Sequence, residues 1–221
     1  MILAVTGGKG GVGKSTIAYN LGAELEAVVV DADLGMADLP VGRGPDLQDV
    51  LAGRASVYEA VDESGPVALL PCGRSLAGAR AADPIALGDA VRAVARRYGT
   101  ALIDCPAGTR GDAGLPLAAA EACVVVTRPR RAALVDAIRV RELARTLGTP
   151  LAHVVVNRAG ETPADPLARL LGGPVTRVPD SPALARAQRA GRPLGDLAPE
   201  APAARRLAAV AAAVQADCSA R

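Results

Sequence analysis

At 221 residues, half of them hydrophobic and with a formal charge of +2, the chain has enough material for one sizeable α/β domain with a full core. It has no Phe or Trp and only three Tyr, so the core must be built from Val, Leu, Ile and Ala, which argues against single-stranded nucleic-acid binding by aromatic stacking. The near-neutral charge gives no basis for strong, sequence-independent attraction to DNA or to anionic lipid.

In chain order, residues 2–6 (ILAVT) read as a short buried strand, and residues 14–25 (KSTIAYNLGAEL) read as a helix with Ile17, Leu21 and Leu25 on one face. Further strands are expected at 27–31, 67–70, 100–104, 122–127, 151–157 and 174–178, all short and β-branched like parallel strands covered on both faces. Helices are expected near 84–98, 131–147, 182–190 and 201–216, and Pro45-Asp46-Leu47 and Arg54-Ala55-Ser56 look like starts of two short ones. The alternation predicts a doubly wound, mostly parallel sheet with helices on both faces, in one domain over residues 1–221. Ligands in such folds sit at the carboxyl ends of the strands.

The positive charge of the chain is carried almost wholly by arginine. There are 23 arginines and two lysines, Lys9 and Lys14, both within the stretch from Gly7 to Thr16 (GGKGGVGKST). An ammonium is a compact point charge, suited to a pocket that encloses a phosphate tightly, whereas guanidinium is a broad fork. Gly8 to Ser15 fits G-x-x-x-x-G-K-[ST], the P-loop pattern, between a strand and a helix start. The glycines let backbone N–H groups turn inward and the helix start adds free donors. Lys14 is placed to reach the β- and γ-phosphates, Ser15 to put its hydroxyl on Mg²⁺ and Thr16 to bond the α-phosphate.

Two more strand ends carry carboxylates. Asp31 and Asp33, at i and i+2, point toward the same side, where a carboxylate can orient an attacking water or hold a magnesium-bound one. Asp104 closes an apolar strand in the Walker B manner, and Gly108 offers a backbone N–H to a γ-phosphate. Cys72, Cys105, Cys123 and Cys218 are scattered without a C-x-x-C, and Cys105 and Cys123 read as small buried hydrophobes. His153 reads as a packed core histidine. Arg128, Arg130 and Arg131 read as a solvated helix start, with a docking patch for an acidic partner or a DNA backbone as the sharper alternative. The absence of a basic leader and of any membrane-length apolar run leads to the expectation of a cytoplasmic protein, peripheral to a membrane only through a partner.

Taken together, Lys-Gly-Gly-Val-Gly-Lys-Ser-Thr at 9–16 resembles the deviant Walker A motif of the MinD/ParA ATPases, Asp-Ala-Asp-Leu-Gly-Met-Ala-Asp at 31–38 resembles their switch I, and Asp-Cys-Pro-Ala-Gly at 104–108 their switch II. Val156-Asn157-Arg158 looks like the family's adenine-reading Asn-Arg, and Val178-Pro179-Asp180-Ser181 is similar to its base-flanking loop. The match runs from 2 to 195 and within the family is most like archaeal MinD-like proteins.

The resemblance implies a cradle of Gly8, Gly10, Gly11, Val12, Gly13, Lys14, Ser15 and Thr16 for ATP, with Asn157, Arg158, Pro179 and Asp180 around the base. It implies magnesium served by Ser15, Asp33 and Asp104, Asp33 positioning the hydrolytic water, and Asp31 and Asp38 in support. Lys9 is implied to cross an ATP-dependent homodimer to the partner's phosphates. The implied function is hydrolysis of ATP to ADP and phosphate as a switch for intracellular positioning of an unidentified protein cargo. The alternatives on the same scaffold are a metal-insertion ATPase or a ligase-type biosynthetic ATPase. Bacterial MinD ends in a membrane-inserting amphipathic helix; here Leu207, Val210 and Val214 form only a thin apolar stripe, so a terminal helix packed on the sheet is expected instead.

Overall fold

Among the described residues, seven all-parallel strands run β1 (Ile2–Thr6), β2 (Val28–Asp31), β3 (Leu69–Leu70), β4 (Ala101–Asp104), β5 (Ala122–Thr127), β6 (Leu151–Asn157) and β7 (Val175–Val178). They are arranged in the order β3-β2-β4-β1-β5-β6-β7. The computed structural model describes residues 1–33, 39, 44–73, 75–108, 111–160 and 164–220, with backbone alone at 111, 112, 164 and 165. Asp38 and most of the expected switch I segment lie outside the described residues.

The strands other than the edge strand β7 are apolar on both faces because both faces are covered. Ile2, Ala4, Val28 and Val30 point into one core layer, and Leu3, Val5 and Val29 into the other. The first layer is closed by α2 (Leu47–Leu51), α3 (Val57–Ala60), α5 (Leu87–Tyr98), α6 (Gly111–Ala119), α7 (Arg131–Thr146) and α8 (Ala164–Leu171). The second is closed by α1 (Lys14–Glu24), α9 (Pro182–Arg189), α10 (Leu194–Leu197) and α11 (Pro202–Ser219). A small α4 (Leu76–Ala81) follows β3.

The doubly wound fold is as expected, and the terminal helix packs as expected. Leu207, Val210 and Val214 of α11 are buried, and the helix lies on α1, β6 and β7. No helix among the described residues is long and apolar enough to cross a membrane. The starts at Pro45 and Arg54 become α2 and α3, each with a reciprocal capping box, Asp46 with Asp49 and Ser56 with Glu59. The single helix expected at 84–98 is a 3-10 turn, Pro84–Ala86, followed by α5, because Pro84 opens a tight turn capped by Asp83. Helices α4, α6, α8 and α10 have no counterpart in the sequence reading.

The connection after β1 runs toward β2, and the one after β4 crosses β1 to reach β5. The chain therefore reverses its winding beside β1, and the crevice at the carboxyl ends of the strands opens there. β1 delivers the glycine loop into this crevice.

Candidate nucleotide site

The loop between β1 and α1 is shaped by what surrounds it. Gly13 caps α1 at φ 102° with no side-chain cap, a conformation that glycine adopts without strain, and the first N–H groups of α1 are left open to a ligand. Gly8 lies against α7 so closely that a Cβ there would stand 2.5 Å from the Asp136 carbonyl oxygen. A Cβ on Gly10 would meet nothing within 4 Å, so the loop has open space above it.

The two lysines of this loop are placed differently. Lys14 is 8 % exposed, and no hydrogen bond or ion pair holds its ammonium among the described residues. Lys9, at the tip of the loop, is exposed. An uncapped helix start, a lysine whose stem is buried while its ammonium stays unpaired among the described residues, and room at Gly10 form a donor set that fits a polyphosphate.

The carboxylates stand at the neighbouring strand ends. Asp31 and Asp104 are register partners across β2 and β4, each 1 % exposed, and β4 pairs in turn with β1. Asp33 is half-buried and tied at both backbone ends: its N–H donates to Asp31 Oδ1 at 3.2 Å, and its carbonyl accepts from the Cys72 thiol at 3.0 Å. Burial, with Asp31, Asp33 and Asp46 nearby, pushes the Cys72 thiol up to about 12. Carboxylates together with the half-buried Ser15 hydroxyl make an all-oxygen set of the kind that suits magnesium.

The base side of the crevice departs in detail from the expected contacts. Asn157, expected to face an adenine edge, is 4 % exposed and donates its amide to the Val12 carbonyl of the loop at 2.9 Å. Arg158 has φ 52° and its guanidinium stands 4.0 Å from the Asp180 carboxylate. Arg158, Pro179 and Asp180 line a cavity of about 50 Å³ with Gly13, Thr16, Asn157 and Gln188. Thr16, expected to meet an α-phosphate, donates its hydroxyl to Gln188 Oε1 at 2.9 Å. Thr16 and Gln188 also line a larger cavity of about 460 Å³, together with Ser15, Tyr19, Leu39 and Arg189. The Gly108 N–H, expected to face a γ-phosphate, donates to the Gly7 carbonyl at 3.2 Å.

Other side chains fall as follows. Cys105 and Cys123 are buried, and His153 is buried with Nε2 on the Thr176 hydroxyl at 2.9 Å. Arg130 and Arg131 are exposed at the start of α7, whereas Arg128 is half-buried, and burial followed by the Arg158 and Arg130 charges lowers its pKa. Asp136 reaches the site without any sequence signal, Gln188 lies in a segment that resembles the family's helix-to-loop exit without a contact assigned to it, and Cys72 has no role assigned from the sequence. Each meets it from far along the chain.

A glycine cradle with a buried lysine, on a parallel sheet that reverses its winding beside it, defines a P-loop nucleotide-binding domain. Residues 3–194 match the CobQ/CobB/MinD/ParA nucleotide binding domain, and the chain belongs to that family. It is 34 % identical over 227 residues to an uncharacterised ATP-binding protein of Methanocaldococcus jannaschii, covering 95 % of this chain and 86 % of that one. The structure is similar to the cell division ATPase MinD of Pyrococcus furiosus, with a TM-score of 0.90, 29 % identity and coverage of 97 % and 98 % of the two chains. It is also similar to the septum site-determining protein MinD of Pyrococcus horikoshii OT3 complexed with Mg-ADP, with a TM-score of 0.87, 28 % identity and coverage of 95 % and 93 %.

Proposed function

We propose that this chain, acting as one P-loop domain over residues 1–221, binds ATP with magnesium, hydrolyses it to ADP and phosphate, and pairs with a second copy while ATP is held. The observation that carries the reading is the unequal placement of two lysines in one loop. Lys14, the first residue of α1, is largely buried and serves the nucleotide of its own chain. Lys9 is exposed at the tip and is free to serve the nucleotide of a facing chain. The Mg-ADP complex of the Pyrococcus horikoshii relative supports the choice of ligand.

In this reading the α1 N–H groups and Lys14 bind and orient the phosphates. Asp33, held at both backbone ends, orients the attacking water, and Ser15 and Asp104 hold the magnesium position. Magnesium, when bound, draws negative charge from the phosphate oxygens. Lys9 of the facing chain offsets charge that develops as the bond breaks. Gly108 gives up its bond to Gly7 when it turns toward a γ-phosphate, which links hydrolysis to the state of the loop after β4. A difference of this kind between ATP and ADP states is what a dimerisation switch requires. We assign the switch to spatial positioning of a protein cargo or regulator in the cytoplasm, such as in cell division.

The test is a pair of substitutions followed by phosphate release, calorimetry and sedimentation. Lys14→Ala is expected to weaken ATP binding itself. Lys9→Ala is expected to keep ATP binding and lose turnover and ATP-dependent dimerisation. Wild-type turnover in Lys9→Ala would refute the trans role, and wild-type affinity in Lys14→Ala would refute the site.

A further inference from the structure

We propose that Asn157 is a positioning residue for the phosphate loop, so that binding of a polyphosphate with no base attached depends on its carboxamide. This deepens the nucleotide reading and rests on it. Asn157 ends β6 and is 4 % exposed, too deep for its amide to be a solvated surface group. Its Nδ2 donates to the Val12 carbonyl at 2.9 Å across 145 residues of sequence. The same nitrogen lies where a Cβ on Gly13 would have to go. Its Oδ1 accepts from the Arg158 N–H at 2.9 Å, and Arg158 holds φ 52°, a strained value for a residue with a side chain.

One buried carboxamide therefore grips two turns. Through its nitrogen it holds the Val12–Gly13 turn that aims the α1 N–H groups. Through its oxygen it holds the Arg158 turn on the base side. An amide that only read a base would have its donors pointing into the cavity. Here one donor is committed to the loop before any ligand arrives. A loop shaped in advance does not have to be ordered at the moment of binding, and that saving appears as affinity for the phosphates alone.

The discriminating probe is inorganic tripolyphosphate beside ATP, each titrated calorimetrically with magnesium into the full chain. Asn157→Asp keeps the shape and the acceptor for Arg158 but turns a donor toward Val12 into an acceptor. It is expected to lose about tenfold or more in tripolyphosphate affinity, and a similar factor for ATP, in a chain that still folds but melts lower because an acceptor is left buried against the Val12 carbonyl. Asn157→Ala, which adds no charge, is expected to lose tripolyphosphate binding in the same direction. Wild-type tripolyphosphate affinity with weakened ATP binding would show that the carboxamide reads the base alone and would overturn the proposal, as would no change in either ligand. Failure of both variants to fold would assign the amide to global stability and overturn it too. An unsubstituted chain that binds ATP but not tripolyphosphate would overturn the proposal while leaving the nucleotide site intact. One that binds neither would instead bring down the nucleotide reading itself.

Discussion

Replacing Gly8 and Gly10 separately by alanine tests whether the phosphate loop is shaped by its neighbours or by its own sequence. Both glycines lie in the same motif, yet their surroundings are opposite. A Cβ on Gly8 would stand 2.5 Å from the Asp136 Cβ, 2.5 Å from its carbonyl oxygen and 2.6 Å from its carbonyl carbon. Two of these are backbone atoms of α7, which cannot swing aside as the end of a side chain can. Either the loop lifts or α7 shifts, and α7 buries Ala133, Ala137, Val140 and Ala144 in the core. Overpacking of this kind costs about 1–3 kcal/mol, and at about 2–4 °C per kcal/mol for a chain of this size Gly8→Ala should melt about 2–12 °C lower. Gly10→Ala meets nothing within 4 Å. It should leave the melting temperature unchanged or raise it slightly, since alanine restricts the unfolded chain by about 0.4–1 kcal/mol. Its methyl group instead enters the space assigned to phosphate, so ATP binding should fall. Thermal unfolding by circular dichroism, with ATP calorimetry on the same samples, reads both effects. A Gly8→Ala chain that melts with the wild type, or a Gly10→Ala chain that binds ATP as well as the wild type, would refute the reasoning.

Two further outcomes follow from buried titratable groups. Burial lowers the His153 pKa from 6.5, so the folded chain keeps this ring neutral while the unfolded chain takes up its proton as the pH falls through 6.5. The contribution is complete above 6.5 and is lost as the pH falls below it. His153→Gln should therefore lose less melting temperature than the wild type between about pH 7.5 and about pH 5.5, and equal losses would contradict the assignment. Among the cysteines, Cys72, Cys105 and Cys123 are buried, and burial raises the first to about 12 and the second well above its ordinary value, while Cys218 is half-buried near the end of α11. A thiol reagent at neutral pH should modify Cys218 alone in the folded chain and the other three only after denaturation, and fast labelling lost on Cys72→Ser would contradict the burial.

What could be read from the sequence was local. The strand, glycine loop and helix from Ile2 to Glu24 are contiguous, so their pattern carries its own context. The alternation of apolar runs gave the parallel sheet, and the rule that ligands gather at strand carboxyl ends picked out Asp31 and Asp104 before their register pairing was known. Of the helices that escaped, α6 is the one whose composition opposes it most. α6 contains Gly111, Gly114 and Pro116, and it forms because Ala113 and Leu117 are fully buried, a tertiary gain that local propensity does not contain. α8 carries Pro166 and is held by Leu167 and Leu171 in the core.

The same division runs through the site and explains its architecture. The residues proposed to touch a nucleotide, such as Lys14 and Ser15, sit in short motifs because a cradle is made from consecutive backbone groups. The groups that fix the cradle come from elsewhere: Asp136 of α7 against Gly8, Asn157 of β6 on Val12, and Gln188 of α9 on Thr16. A glycine loop cannot hold one shape by its own side chains, having almost none, and its rotational freedom would otherwise be lost only when a ligand bound. Contacts from three distant elements remove that freedom in advance. In the proposed site the motif determines which atoms would meet the phosphates, and the rest of the fold determines whether they are already in place.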